Sequence, residues 1–383
     1  MKTTVLPSEQ QRRSLNRHTK FRIFTTISLL AIIFTYMFNT NTFISFNFNP
    51  AIFTNHKLII NYNQLIIQES HNSPLNLKFD ILNSNPKFET RANEFLKDCK
   101  LRFFMTWISS PSILFGEREL LVVEALFKSN PDSCLIIISN NMDSDHGFQL
   151  LKPVINLGFR VQAIEPDFHF LFKNTPAESW FGCIQNRKCD PGEIPLAQNL
   201  SNLIRLVALY KFGGVYLDTD FIPLNNFSGL RNSIGAQSAN RFGNWTRLNN
   251  AVLVFDKNHP LLYKFIEEFA LTFNGNRWGF NGPYLVSRVV KRNMEYNLSV
   301  LPPAAFYPVG WGRIGGLFRR PVDRGHRRWV EAKVVQLKES SYGVHLWNKQ
   351  SRKLRIEEES ILARLISHHC VVCKTFNKSQ RLR

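Results

Sequence analysis

The stretch NLSNLIRLVALYKFGGVYLDTDF, residues 199–221, constrains the fold more than any other part of the chain. Ser201 can cap a helix over residues 202–212, and Gly213 stands where such a helix would end in the left-handed conformation. The short apolar run Val215, Tyr216, Leu217 then reads as a buried strand, with Asp218-Thr219-Asp220 at its end. Side chains alternate along a strand, so Asp218 and Asp220 are expected on one side and Thr219 on the other. Two carboxylates in one small space repel unless one is protonated or a cation lies between them, and hard oxygen ligands favour magnesium or manganese. In isolation Asp-x-Asp is more often a solvated turn. Here it ends an apolar strand behind a Gly-Gly turn and an amphipathic helix, which points to a metal site.

Upstream the pattern repeats. Residues 101–108 (LRFFMTWI), 134–139 (CLIIIS) and 159–164 (FRVQAI) read as strands, while 117–128 and 148–157, the latter stopped by Gly158, read as helices. The alternation predicts an α/β domain with a doubly wound parallel sheet, whose ligands bind beyond the carboxyl ends of the strands. Asn202 and Arg205 lie three apart and share a helix face. An arginine among Leu203, Ile204, Leu206, Val207 and Leu209 needs a partner once buried, either in a structural ion pair or through contact with a phosphate or the metal-bound carboxylates. Phe265, Phe269 and Phe273, at helical spacing, read as core. Trp245, Trp278 and Trp311 fall in polar, Gly-containing loops where an acceptor sugar could stack.

Residues 23–38 carry no charge and follow Arg12, Arg13, Arg17, Lys20 and Arg22. As a helix they cover about 24 Å, which the uncharged residues beyond can extend toward the ~30 Å core of a bilayer. Basic residues on the N-terminal flank put that flank in the cytosol. The expected organisation is a cytosolic tail 1–20, a transmembrane signal anchor 21–42, an Asn-rich lumenal stem 43–97 and one catalytic domain 98–383. Six cysteines and five Asn-x-Ser/Thr sequons lie beyond the anchor, as suits a lumenal compartment. Asn226, Asn244, Asn297 and Asn377 are candidate glycosylation sites, whereas Asn199, beside the expected metal site, is expected to stay unmodified. Cys183 and Cys189 bracket a loop that a disulfide could close. The tail HHCVVC, with Cys370 and Cys373, reads as a structural disulfide in preference to a metal clip or redox pair.

Lysine and arginine total 48 against 29 acidic residues, a net charge of +19, so nucleic acid and anionic membranes enter as partners. No zinc-finger, homeodomain or RNP pattern appears, and a lumenal domain would not meet DNA, so nucleic acid is excluded. From residue 310 onward there are 17 basic and 6 acidic residues, with Arg319, Arg320, Arg324, Arg327 and Arg328 clustered. This excess is expected to serve a diphosphate donor and anionic membrane or acceptor surfaces. A phosphotransferase with an Asp218 nucleophile is disfavoured, because Ile222 stands where a D-x-D-x-Thr motif needs threonine.

LSNLIRLVALYKFGGVYLDTDF resembles the DXD region of glycosyltransferase family 32, in particular the plant branch of the alpha-1,4-glycosyltransferases related to lactosylceramide 4-alpha-galactosyltransferase. FFMTWIS (103–109), Asn281-Gly282-Pro283, Ala305-Phe306-Tyr307-Pro308 and YGVHLWNK (342–349) are similar to further family blocks, so the resemblance covers about residues 100 to 370. It implies a GT-A-type nucleotide-sugar transferase fold, a Rossmann-like mixed sheet with helices on both faces. It further implies a Mn²⁺ or Mg²⁺ ion, a UDP-sugar donor and retaining transfer of a hexose, galactose as a first guess. The acceptor would be a glycan or glycolipid, the linkage alpha-1,4, and the setting the Golgi membrane as a single-pass type II protein.

Carried over residue by residue, the resemblance makes Asp218, Asp220 and Arg205 catalytic, with Asp220, Asp218 and His345 on the metal. Trp107, Asn202, Arg205, Asp218 and Trp347 would hold the donor, with Trp107 stacking on the base. Asn281, Gly282 and Pro283 would touch the acceptor. His345 and Trp347 are expected on one side of a strand by their i, i+2 spacing. Asn202 departs from the family, which usually has aspartate there. That departure bears on the donor sugar more than on activity, and it is the best argument for the alternative reading, a catalytically weak or inactive glycan-binding partner subunit of the same fold.

Overall fold

The computed structural model describes residues 87–373 except 111. The expected tail and anchor, most of the stem and Asn377 lie outside these residues. Among the described residues no helix is long and apolar enough to cross a membrane. The stem expectation gives way over its last residues: α1 (Lys87–Leu96) is a helix whose Phe88, Ala92 and Leu96 are buried in the core. Three buried residues at i, i+4, i+8, with Phe95 half-buried beside them, form a stripe that is easy to miss among the charged residues of this run.

The first half of the domain builds a parallel sheet. It runs through β1 (Leu101–Trp107), α2 (Glu117–Ser129), β2 (Ser133–Ser139), α3 (Asp145–Ile155) and β3 (Arg160–Ile164). β1 pairs parallel with β2, and β2 with β3. α3 begins earlier than its apolar pattern suggests because the Ser144 side chain accepts from the Gly147 N–H. Along β1 the side chains alternate: Phe103 and Met105 pack with α2 on one face, while Phe104 packs on the other. Both faces are covered, which is why these strands are continuously apolar.

Two short helices, α4 (Phe168–Phe172) and α5 (Ala177–Gln185), lead to the long α6 (Leu196–Phe212). The expected cap at Ser201 is wrong. The helix starts behind Pro195, and Ser201 sits inside it with its carbonyl accepting from Arg205 Nε at 3.1 Å. After Gly213 comes β4 (Gly214–Leu217), parallel to β1. The small strand β5 (Phe221–Pro223) follows, then β6 (Ser233–Ala239) and β7 (Trp245–Phe255), antiparallel to each other; β7 is also antiparallel to β4.

The purely parallel reading is therefore corrected. Helix α7 (Pro260–Thr272), helix α8 (Pro283–Arg292) and β8 (Ser299–Leu301) complete a mixed sheet ordered β3-β2-β1-β4-β7-β6-β8. The reversal comes from the β6–β7 hairpin, turned at Asn240, whose N–H bonds the Asn244 carbonyl. Trp245 accordingly opens a strand and is not in a loop. α9 (Pro303–Phe306) and the long α10 (Arg324–Ser340) precede β9 (Gly343–His345), which pairs antiparallel with β5. The short α11 (Asn348–Ser351) and α12 (Ile361–His369) follow. Phe265 and Phe269 are fully buried, and Phe273 packs with Trp180.

Cys183–Cys189 and Cys370–Cys373 form disulfides, and Cys99–Cys134 ties the entry of β1 to β2. The Cys370–Cys373 turn has a second role. Glu124 of α2 is 4% exposed, and its Oε2 accepts the N–H groups of Val371, Val372 and Cys373 at 3.0, 2.9 and 3.1 Å. His369 is buried, with its Nδ1 2.7 Å from the Leu365 carbonyl oxygen and its Nε2 3.2 Å from that of Leu224. Glu124→Leu, which leaves three partly buried N–H groups unpaired, is expected to cost about 1–3 kcal/mol. A lowered thermal midpoint checks this; an unchanged one would mean that water replaces the carboxylate.

Candidate active site

β4 stops at Leu217, and Asp218–Asp220 form a tight turn in which the Phe221 N–H bonds the Asp218 carbonyl at 3.0 Å. Strand alternation is thus not what aims the two aspartates. The turn does, together with its partner across the small β5–β9 sheet, where Phe221 pairs with His345. His345 Nε2 lies 3.3 Å from Asp220 Oδ1 and 3.8 Å from Asp218 Oδ2. One ligating atom from each of Asp218, Asp220 and His345 lies within 4.8 Å of the others.

Each carboxylate is held from behind. Asp218 Oδ1 accepts from the Tyr216 hydroxyl at 2.8 Å and pairs with Arg205 Nη1 at 3.0 Å, while Thr106 bonds the same hydroxyl. Arg205 is 6% exposed; its Nη1 also donates to the Asn250 carbonyl, and its guanidinium lies 4.5 Å from the centre of the Tyr216 ring. Of the two readings open for this arginine, the observed partner is a carboxylate of the Asp-x-Asp turn. Asp220 Oδ2 accepts the Asn348 N–H at 2.8 Å, and its carbonyl accepts the Leu346 N–H.

Burial alone would lower the pKa of the His345 imidazole, but the adjacent Asp220 and Asp218 carboxylates outweigh it and raise the value to about 9. Asp220 is the mirror case: burial pushes its carboxyl up, yet His345, the Asn348 N–H and the more distant Arg118 hold it below the usual range. Burial lowers Arg118, which donates to the Ser351 carbonyl and hydroxyl. The two carboxylates favour the protonated imidazole, and a divalent ion ligated by His345 would take the place of that proton.

The turn lies in a cleft of about 760 Å³ whose lining includes Asn202, Arg205, Asp218, Asp220, His345 and Trp347. Asn202 accepts from Asn250 Nδ2 at 2.9 Å, and a Cβ at Gly282 would lie 2.8 Å from its Oδ1. Trp347 is not on a strand with His345, since β9 ends at His345 and Trp347 takes a left-handed φ of 54°. The rings meet nonetheless, 4.4 Å between centres, and Trp347 Nε1 donates to the Val309 carbonyl. Trp107 packs edge-on against Phe115 and does not line the cleft.

Of the expected acceptor residues, Pro283 lines the cleft, and Gly282 stands behind Asn202. Asn281 is corrected: it is 2% exposed, and its amide donates to Asn199 Oδ1 and the Asn274 carbonyl. Asn199 is itself buried in α6, whereas Asn226, Asn244 and Asn297 are exposed. Trp278 and Trp311 line the cleft, Trp245 does not, and neither do the five clustered arginines from Arg319 to Arg328. Sequence reasoning missed Asn250, Asn348 and Arg118. The polar pair Asn249-Asn250 inside the otherwise buried LNNAVLVF run was the available signal.

A family model described as "Alpha 1,4-glycosyltransferase conserved region" matches residues 254–376, and one described as "Glycosyltransferase sugar-binding region containing DXD motif" matches 116–240. The lactosylceramide 4-alpha-galactosyltransferase of Mus musculus is 31% identical over 285 residues, covering 68% of this chain and 71% of that protein. The chain belongs to this alpha-1,4-glycosyltransferase family. Within it, an uncharacterized Arabidopsis thaliana protein is 30% identical over 72% of this chain, a match that spans 42% of that protein's length. A Homo sapiens alpha-1,4-N-acetylglucosaminyltransferase is 27% identical over 53% of this chain and 58% of its own. Among solved structures, one described as a PaToxG glycosyltransferase covers 73% of this chain and 95% of its own at 16% identity, with a TM-score of 0.38, too low to carry weight.

Proposed function

We propose that the chain is a metal-dependent, retaining glycosyltransferase of GT-A type. It would move a hexose from a UDP-sugar to a glycan or glycolipid in alpha-1,4 linkage, as a type II protein of the Golgi membrane with the domain in the lumen. The observation that carries this reading is the convergence of Asp218, Asp220 and His345 within 4.8 Å, on the cleft side of a mixed sheet. Two carboxylate oxygens and an imidazole nitrogen suit a divalent ion, and the imidazole favours manganese over magnesium. Such an ion, when bound, neutralises charge that builds on the departing diphosphate.

The protein's own contribution is positioning. Arg205 and Tyr216 hold Asp218, and the Asn348 N–H and His345 hold Asp220, so neither carboxylate has to reorganise when phosphate arrives. Asp218 and Asp220 are the acidic residues in the cleft's lining, and with both engaged, neither is free to attack the sugar. This supports a front-face transfer without a glycosyl-enzyme intermediate. Donor sugars can be discriminated at Asn202, whose neutral amide is fixed by Asn250.

The test is a nucleotide-sugar panel on the detergent-solubilised full chain, read as released nucleoside diphosphate. Turnover is expected with a UDP-sugar and manganese, and chelation is expected to lower it by about a hundredfold or more. Glycan binding without turnover of any nucleotide sugar would overturn the enzyme reading in favour of the non-catalytic partner subunit.

A further inference from the structure

One half of the cleft lies away from the carboxylate turn. β7 runs on past the end of β4: Leu217 pairs with Val252, the Ala251 carbonyl accepts the Asp218 N–H, and Arg247 lies four residues further along. At about 3.4 Å per residue that is roughly 14 Å along the strand. A nucleotide belongs over the carboxyl ends of the parallel strands, on the β1 to β3 side of the turn. Arg247 is on the opposite, antiparallel side.

Two cations that line the cleft are seated on aromatic rings. The Arg247 guanidinium carbon is 4.7 Å from the centre of Tyr284, and Lys349 Nζ is 3.8 Å from the centre of Trp278. Tyr284 and Trp278 are 44% and 52% exposed, and both line the cleft. Among the described residues no ion pair engages Arg247 or Lys349, whereas Arg205 and His345 are matched to Asp218 and Asp220. A cation on an exposed ring is held more weakly than one in a charge-assisted hydrogen bond, so both remain available to an anion. A flat aromatic ring flanked by a donor fits a sugar, whose C–H face packs on the ring while its substituents reach the donor.

We propose that this half of the cleft is the acceptor subsite and that it takes a hexose bearing an anionic group, a carboxylate or a phosphate ester. Its ring lies on Trp278 or Tyr284, and its charge lies on Arg247 with Lys349 in support. The identification as an acceptor subsite rests on the glycosyltransferase reading; the preference for a charged hexose does not.

The full chain in detergent, with manganese and UDP present, is titrated with methyl glucuronide, glucose 6-phosphate and methyl glucoside. One or both anionic sugars are expected to bind about ten- to a hundredfold more tightly than the neutral one, with the gap narrowing in about 0.5 M salt. The tighter of the two anions decides between carboxylate and phosphate. Arg247→Gln is expected to bring the ratio close to one, and Arg247→Lys to retain part of it. UDP affinity on the same samples reports an intact fold and an undisturbed donor site. Equal affinities for charged and neutral sugars in the wild type would overturn the proposal, as would a preference that survives Arg247→Gln. A loss of UDP binding equal to the loss of sugar binding would also overturn it, by moving Arg247 to the donor. Absence of metal-dependent turnover, by contrast, removes the enzyme reading while a measured preference for charged hexoses stands.

Discussion

Replacing Asp220 by Asn is expected to cut metal-dependent turnover of the nucleotide sugar by about a thousandfold, roughly 4 kcal/mol of transition-state stabilisation. The substitution removes one of the two charges that would hold the ion. It keeps the shape and leaves an amide oxygen to accept the Asn348 N–H, which Asp220 Oδ2 now accepts at 2.8 Å. His345 loses its nearer carboxylate but keeps Asp218 at 3.8 Å, so the pocket does not strand an unpaired buried cation. The thermal midpoint should accordingly fall by less than about 5 °C. Wild-type turnover in this variant would remove Asp220 from the metal site. A collapse of the midpoint together with turnover would assign the loss to folding. Alanine is the poorer test, because the Asn348 N–H would lose its acceptor as well.

The parts of this site legible in the sequence are those that local pattern encodes. Glycines behind an amphipathic helix, a short apolar strand and an Asp-x-Asp at its end are all near neighbours in the chain, and the run from residue 199 to 221 carried them. What could not be read is what arrives from far away. Arg205 bonds the Asn250 carbonyl, Asp220 bonds Asn348, and Glu124 fills a turn closed by Cys370–Cys373. No periodicity relates those positions. The start of α6 shows a different failure, two competing local signals: Ser201 is a good cap by type, but Pro195 begins the helix earlier and buries Asn199 within it. The antiparallel β7 is hard to see in the sequence because Trp245, which opens it, directly follows the polar hairpin Asn240 to Asn244. Trp107 ends β1 with its ring edge-on to Phe115, and it does not line the cleft around the carboxylate turn.

Gly214→Ala is expected to be the most damaging single substitution near the site that touches no ligand. Gly213 and Gly214 have φ values of 65° and 118°, where side chains are disfavoured, and they make the sharp reversal from α6 into β4. A Cβ at Gly214 would also collide with the Arg102 carbonyl oxygen on β1, backbone that cannot move aside without breaking the Phe103–Val215 pairing. Strain at a positive φ costs about 1–3 kcal/mol, and forced overpacking costs a similar amount. The sum, roughly 2–6 kcal/mol, lowers the midpoint by about 4–12 °C in a domain of this size. Because β4 ends one residue before Asp218, the same shift displaces the carboxylate from Arg205 and Tyr216. Turnover and stability should therefore fall together, unlike in Asp220→Asn, where only turnover does. Gly229→Ala, exposed in the loop before β6 with open space at its Cβ, serves as the control and should change neither. A Gly214→Ala protein with a wild-type midpoint would show that β1 and β4 can separate at this point without cost, and that the close approach of their backbones is not what positions the turn.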